Sequence, residues 1–226
     1  MKSRTLVVVA AIALASFGCN HSTEPKTTPP PSLVANDTPT HAIERLITSY
    51  EKKNESAFAG MFTGNYQYEF SNATDPNLVT DYSAGWFKVD ETSASTHLFS
   101  GYTPSGGATL EPASTITINL AVGTPTDDNS SGADPTTHKL LATRVDGLIV
   151  VPNPGAEATT FVIENNFNVF YLVRGDVATG LDSSQPPDAG HWYVYRWSDL
   201  TGGAKPRLVT QATQNHTWGS IKGNYR

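Results

Sequence analysis

Leu46-Ile47-Thr48-Ser49-Tyr50-Glu51-Lys52-Lys53-Asn54, then Phe58-Ala59-Gly60-Met61-Phe62, then Tyr66-Gln67-Tyr68-Glu69-Phe70: across these three phrases the apolar spacing changes from helical to extended. Ile43, Leu46, Ile47 and Tyr50 fall at i, i+3, i+4 and i+7, which puts one apolar stripe on a helix. Thr38 is placed to cap that helix, with Pro39 at its first position. Asn54 is placed to cap a second, short helix carrying Phe58, Met61 and Phe62. Tyr66, Tyr68 and Phe70 then alternate with polar residues, the pattern of a half-buried strand.

Downstream, a third helix is expected from Lys88 to Phe99, weakened by its Ser and Thr content. After Gly101 the pattern becomes that of strands. Ile116, Ile118, Leu120 and Val122 alternate with Thr117, Asn119 and Ala121, and further runs cover Leu140 to Val151, Thr160 to Arg174 and His191 to Trp197. Long polar loops separate them, at Thr124 to Thr137, Pro152 to Glu157 and Ala178 to Gly190. Helices followed by a long antiparallel run predict an α+β fold, with helices covering one face of a curved, mostly antiparallel sheet.

The three opening phrases resemble the start of the NTF2-like superfamily, the cone shared by ketosteroid isomerase-like and SnoaL-like proteins. Two later phrases, Trp192-Tyr193-Val194-Tyr195-Arg196-Trp197 and Thr217-Trp218-Gly219-Ser220-Ile221-Lys222-Gly223-Asn224-Tyr225-Arg226, are similar to the ends of bacterial lipoproteins carrying such domains. The resemblance covers residues 39–226 and implies an NTF2-like cone, with dimerisation through the sheet face as a further implication. Catalytic members use an Asp or His in the cone, with Tyr or protonated Asp donors around an oxyanion. No position here matches such a motif, so no catalytic residue is carried over. Two functions stay open. One is a non-catalytic domain that binds a small apolar ligand or a protein partner. The other is an isomerase, dehydratase or hydrolase using a pocket carboxylate or histidine.

The residues expected to face a pocket are Tyr66, Tyr68, Trp86, His97, Glu164, Asn166, Tyr193 and Tyr195. Glu164, Asn166 and Asn168 alternate on one strand and so share a face in a regular ladder. On the last long strand Trp192 and Val194 oppose Tyr193, Tyr195 and Trp197, and only one set can point inward. Trp218 adds to the same aromatic content. Such aromatics either line an apolar cavity or simply fill the core. No cofactor is implied. The histidines lack His-x-His or His-x-x-x-His spacing. Asp127, Asn129, Ser131 and Gly132 match half of a calcium loop, but His138 stands where the bidentate Glu belongs, so no metal is expected. Arg174-Gly175-Asp176 reads as a turn after a strand.

The N-terminus speaks to location. Lys2 and Arg4 precede an apolar run from Leu6 to Phe17, too short to span a bilayer and proportioned like a signal peptide. Ser16-Phe17-Gly18-Cys19 resembles a bacterial lipobox, which implies a leader over 1–18 and a lipidated Cys19 that attaches the chain to a membrane. Ser16 departs from the branched apolar residue usual there, and simple secretion is the alternative. Cys19 is the only cysteine, so no disulfide can staple the remainder. Asn20 after it points to the outer rather than the inner membrane of a cell envelope. Residues 19–38, with Pro29-Pro30-Pro31, read as a Thr/Pro-rich tether. Loss of Lys2 and Arg4 with the leader moves the formal charge from −6 to −8, which argues against nucleic acid as a partner.

Overall fold

The structure, a computed structural model, describes residues 33–71, 76–152, 157–201, 213–215 and 217–226. The leader, Cys19 and the tether up to residue 32 lie outside these residues. The elements run α1 (Pro39–Glu51), α2 (Glu55–Ala59), β1 (Phe62–Glu69), α3 (Pro76–Asp81), β2 (Trp86–Phe87), α4 (Lys88–Ser100), β3 (Thr115–Val122), β4 (Thr126–Asp127), β5 (His138–Val151), β6 (Thr159–Arg174), β7 (Trp192–Asp199), β8 (Thr213–Asn215) and α5 (Trp218–Asn224). The fold is α+β. One open sheet has the order β2-β1-β7-β6-β5-β3, with β4 added on β5 and β8 on β6. The β1–β7 and β6–β8 pairs are parallel and the others antiparallel.

The N-terminal caps form as the sequence predicts. Thr38 Oγ1 accepts from the His41 N–H at 3.1 Å, and Asn54 Oδ1 accepts from the Ala57 N–H at 3.0 Å. Each satisfies one of the otherwise unpaired amides of a first helical turn. The second helix is shorter than expected: it stops at Ala59, and Phe62 already begins β1. In α4 the hydroxyls of Thr92 and Ser95 bond back to the carbonyls of Lys88 and Glu91, which accommodates them inside a helix. The Asp90 carboxylate accepts from the Phe87 N–H at 2.9 Å and closes its first turn.

Two expectations are corrected. Residues 33–38 are not tether but part of the folded unit. Asn36 is buried, its side-chain amide donates to the Trp192 carbonyl at 3.0 Å, and its own carbonyl accepts from the Trp192 N–H at 2.8 Å. This short pairing ties the chain to the start of β7, and Leu33-Val34-Ala35 marks the point where the Thr/Pro-rich composition ends. After the strands comes α5, to which the sequence reading assigned no element. Thr217 caps α5 by accepting from the Ser220 N–H at 3.0 Å, although Gly219 and Gly223 weaken its helical signal. Finally, two bulges reset the strand faces. In β6, Glu164 and Asn165 together oppose Asp146, with Asn165 at φ 53° and its N–H on Asp146 Oδ1 at 2.7 Å. Glu164 is therefore exposed while Asn166 and Asn168 are buried. In β7, Tyr195 is the extra residue between the Tyr171–Arg196 and Leu172–Val194 pairs. Val194 and Trp197 thus share the core face with Trp192.

The core lies between the helices and that face. Tyr50 of α1 packs against Phe58, Phe99 and Trp218 at centroid distances of 5.1, 4.9 and 4.8 Å. Trp197 meets Phe170 at 4.5 Å, Tyr68 at 5.4 Å and Trp218 at 5.7 Å. Edge-on and tilted contacts of this kind add to the burial of the rings themselves.

Candidate functional site

Glu91 is the one carboxylate among the described residues with no solvent exposure at all. It sits on the inward stripe of α4 with Ala94, Ser95, Leu98 and Phe99. Its Oε2 accepts from Tyr66 Oη at 3.2 Å, from Trp86 Nε1 at 3.1 Å and from Lys222 Nζ at 2.7 Å. Lys222 arrives on α5, on a stripe with Trp218, Ile221 and Tyr225, and is 3 % exposed. Its ammonium lies 3.5 Å from the centroid of the Tyr68 ring and 3.8 Å from that of Trp197. The charge is thus met by one carboxylate and two aromatic faces.

Behind the two rings is a second layer of buried polar groups. Tyr68 Oη donates to Asp199 Oδ2 at 3.4 Å, and Trp197 Nε1 donates to Asn168 Oδ1 at 2.8 Å. The Asn168 amide donates to Asn166 Oδ1 at 2.9 Å, and the Asn166 amide donates to Thr201 Oγ1 and, at 3.5 Å, to Asp199 Oδ1. Thr201 closes the ring by donating its N–H to Asp199 Oδ1 at 2.9 Å.

Four of the eight residues expected at a pocket therefore meet in this interior: Tyr66, Tyr68 and Trp86 around Glu91, and Asn166 behind them. The other four lie elsewhere. His97 Nδ1 is 2.7 Å from the Tyr225 carbonyl oxygen, and its ring stacks on Tyr102 at 3.8 Å. Glu164 is on the exposed side of the β6 bulge. Tyr193 donates to the Pro186 carbonyl at 3.0 Å and borders a surface groove of about 540 Å³ with Arg45 and His191. Tyr195 donates to Asp128, beside His138. The residues the sequence reading missed are Glu91, Lys222 and Asp199, whereas Trp197 was read among the aromatics that line a cavity or fill the core. The available signal was a charge on an apolar stripe: Glu91 stands three residues before Ala94 and seven before Leu98, and Lys222 four after Trp218.

Burial pushes the Lys222 amine down to about 8, partly offset by the Glu91 charge. Burial and the same charge raise the Tyr66 and Tyr50 phenols well above the ordinary range. The unfolded chain keeps the lysine proton up to about 10.5, whereas the folded chain releases it near 8. Between those values the unfolded state binds more protons, so this group makes stability rise with pH there and leaves it flat below. Urea midpoints measured from pH 7 to 10 should climb more steeply for the wild type than for Lys222→Met. Parallel profiles would contradict it.

Chemically, this interior holds a cation and screens a carboxylate. Glu91 is paired with Lys222 and fully buried, and neither residue lines the grooves around Gly147, Tyr193 or Phe58. Among the described residues no group of three His, Cys, Asp or Glu is placed to hold a metal, and no helix is long and apolar enough to cross a membrane.

No protein-family model matches the chain, and no curated protein matches it significantly. Among solved structures, it is similar to a ketosteroid isomerase-like protein from Erwinia carotovora atroseptica, at 9 % identity and a TM-score of 0.40, over 72 % of this chain and 93 % of that one. It is also similar to an NTF2-like protein of unknown function in nutrient uptake from Rhodospirillum rubrum, at 10 % identity and a TM-score of 0.38, over 72 % and 96 %. Likenesses at this level say nothing of this chain's chemistry. These two solved structures are a ketosteroid isomerase-like and an NTF2-like protein, and the chain itself is an α+β protein built on an open, mostly antiparallel sheet.

Proposed function

We propose that this chain is a lipid-anchored protein of the cell envelope, held by Cys19 on the outer membrane, whose folded unit binds a protein partner without catalysis. The observation that carries this reading is the filled interior. Trp197, Trp218 and the Glu91–Lys222 pair occupy the space between helices and sheet where a small apolar ligand would have to lie. Glu91 beside Tyr66 is the pair an isomerase-type enzyme would use, but its Oε2 is taken by Tyr66, Trp86 and Lys222, and the Lys222 ammonium holds the carboxylate in an ion pair inside the filled core. Apolar side chains instead stand on the outside. Phe167 is 53 % and Leu200 59 % exposed, and the two are joined by the Leu200 N–H to Phe167 carbonyl bond at 2.8 Å. A second copy of the chain or another envelope protein would cover such positions.

Native mass spectrometry of the full chain, extracted in mild detergent from its own host, tests both halves. The expected species carries acyl chains on Cys19 and no further small molecule, and Cys19→Ser abolishes the acylation. A stoichiometric small molecule retained by the folded chain would overturn the partner-binding reading in favour of a carrier or enzyme. A mass without acylation would remove the anchor.

A further inference from the structure

Each wall around the Lys222 ammonium is fixed by something other than Lys222. The Glu91 carboxylate is oriented by Tyr66 Oη and Trp86 Nε1, which come from β1 and β2. The Tyr68 ring is anchored through its hydroxyl on Asp199, and the Trp197 ring through its indole N–H on Asn168. Lys222 itself enters on a separate, C-terminal helix. An ion pair formed only to neutralise a buried acid would not need two aromatic faces held by their own hydrogen bonds. Glu91 Oε1, moreover, is buried with no protein donor, so the site keeps acceptor capacity for a second ammonium N–H. Burial opposes the charge on the Lys222 nitrogen, and the Glu91 carboxylate, with a smaller contribution from Asp199, is what offsets part of that cost.

We propose that Glu91, Tyr68 and Trp197 form a preorganised binding site for a primary alkylammonium group, which Lys222 of α5 occupies in cis as an internal ligand. The chemical class follows from the walls. The carboxylate demands a cation, the two ring faces favour one whose charge sits on a compact head, and the lysine stem defines an unbranched aliphatic tail. An external amine of this class competes with α5 for the same cage, and the lysine in cis lowers its apparent affinity. The inference goes beyond the partner-binding reading and does not depend on it.

The test uses the full chain at pH 7 with n-butylammonium chloride as the probe. Lys222→Ala removes the internal ligand and leaves the walls. Calorimetric titration should show saturable n-butylammonium binding to this variant, with n-butanol at least about tenfold weaker, as expected of a desolvated cation–π site. Wild type should bind the amine at least about tenfold more weakly than the variant, because its cage is filled. Adding Glu91→Gln to Lys222→Ala should abolish the preference for the amine over the alcohol. Equal binding of amine and alcohol would reduce the site to an apolar void, and equal binding by wild type and variant would place the amine elsewhere; either result overturns the proposal. Should Lys222→Ala not fold, NMR of the wild type decides. Ring currents from Tyr68 and Trp197 must move the Lys222 ε-methylene protons strongly upfield, and ordinary lysine shifts would refute the cage.

Discussion

Glu91→Ala should destabilise the folded chain by about 3–5 kcal/mol, the cost of leaving a buried charge without its partner. Three donors lose their acceptor at once: Tyr66 Oη, Trp86 Nε1 and Lys222 Nζ, all buried. The loss is bounded from above by a second route. A lysine that cannot stay charged gives up its proton, and at neutral pH that costs less than burying the bare ammonium. The destabilisation should therefore grow as the pH is lowered from 8 to 6, because the unfolded chain keeps the lysine protonated throughout while the folded variant resists it. Urea unfolding of wild type and Glu91→Ala at both pH values measures this. A loss below about 1 kcal/mol, typical of a solvent-screened pair, would mean that water reaches the site.

The same logic separates the pair from its net value. Replacing Glu91 and Lys222 together by Leu and Met removes both charges and should cost less than Glu91→Ala alone, the remaining loss coming from Tyr66 Oη and Trp86 Nε1, which are left without an acceptor. The ion pair is thus costlier to break than to omit. Its presence is better explained by what it recognises than by what it adds to stability.

Much of the frame was legible in the residues themselves. The α1 stripe with Thr38 and Pro39, the Asn54 cap, the alternation in β1 and the four long strands are local patterns, and local patterns survive into the fold. What failed was parity. A strand assigns faces by counting in twos, and one inserted residue reverses everything beyond it. Asn165 in β6 separated Glu164 from Asn166, and Tyr195 in β7 brought Val194 and Trp197 onto one face. Neither insertion has a marker as plain as glycine. Asn165 tolerates its positive φ and bonds Asp146, a partner that only the paired strand supplies.

The site was harder for a different reason. Its two halves lie 131 positions apart, on helices of ordinary and weak signal respectively. A glutamate among Ser and Thr and a lysine between two glycines both read as solvent-facing, since such residues are almost never fully buried unless paired. Tyr66, Tyr68 and Trp86 could be placed near a pocket from sequence because aromatic strand positions are usually inward, but the ligand they surround belongs to the chain itself.

Trp218→Ala should cost about 3–5 kcal/mol, the range for deleting a large buried aromatic. Trp218 is 2 % exposed and joins the two halves of the core, touching Tyr50 of α1 at 4.8 Å and Trp197 of β7 at 5.7 Å. No other residue of α5 makes a ring contact with both. Its removal opens a void beside the cage and withdraws the apolar contact that holds α5 in place, so Lys222 should lose its ring faces as well as its helix. For a chain of this size about 2–4 °C of melting temperature accompanies each kcal/mol, which puts the expected drop near 10 °C. Hydrogen exchange distinguishes a local from a global effect. Amides of residues 217–226 should exchange much faster in the variant while those of β5 and β6 stay protected, because the long strands do not depend on α5 for their pairing. Val89→Ala, at a side chain 70 % exposed, is the control and should change neither the melting temperature nor the exchange pattern appreciably. If Trp218→Ala instead behaves like that control, α5 does not pack where its ring contacts place it, and the cation cage loses its occupant with it.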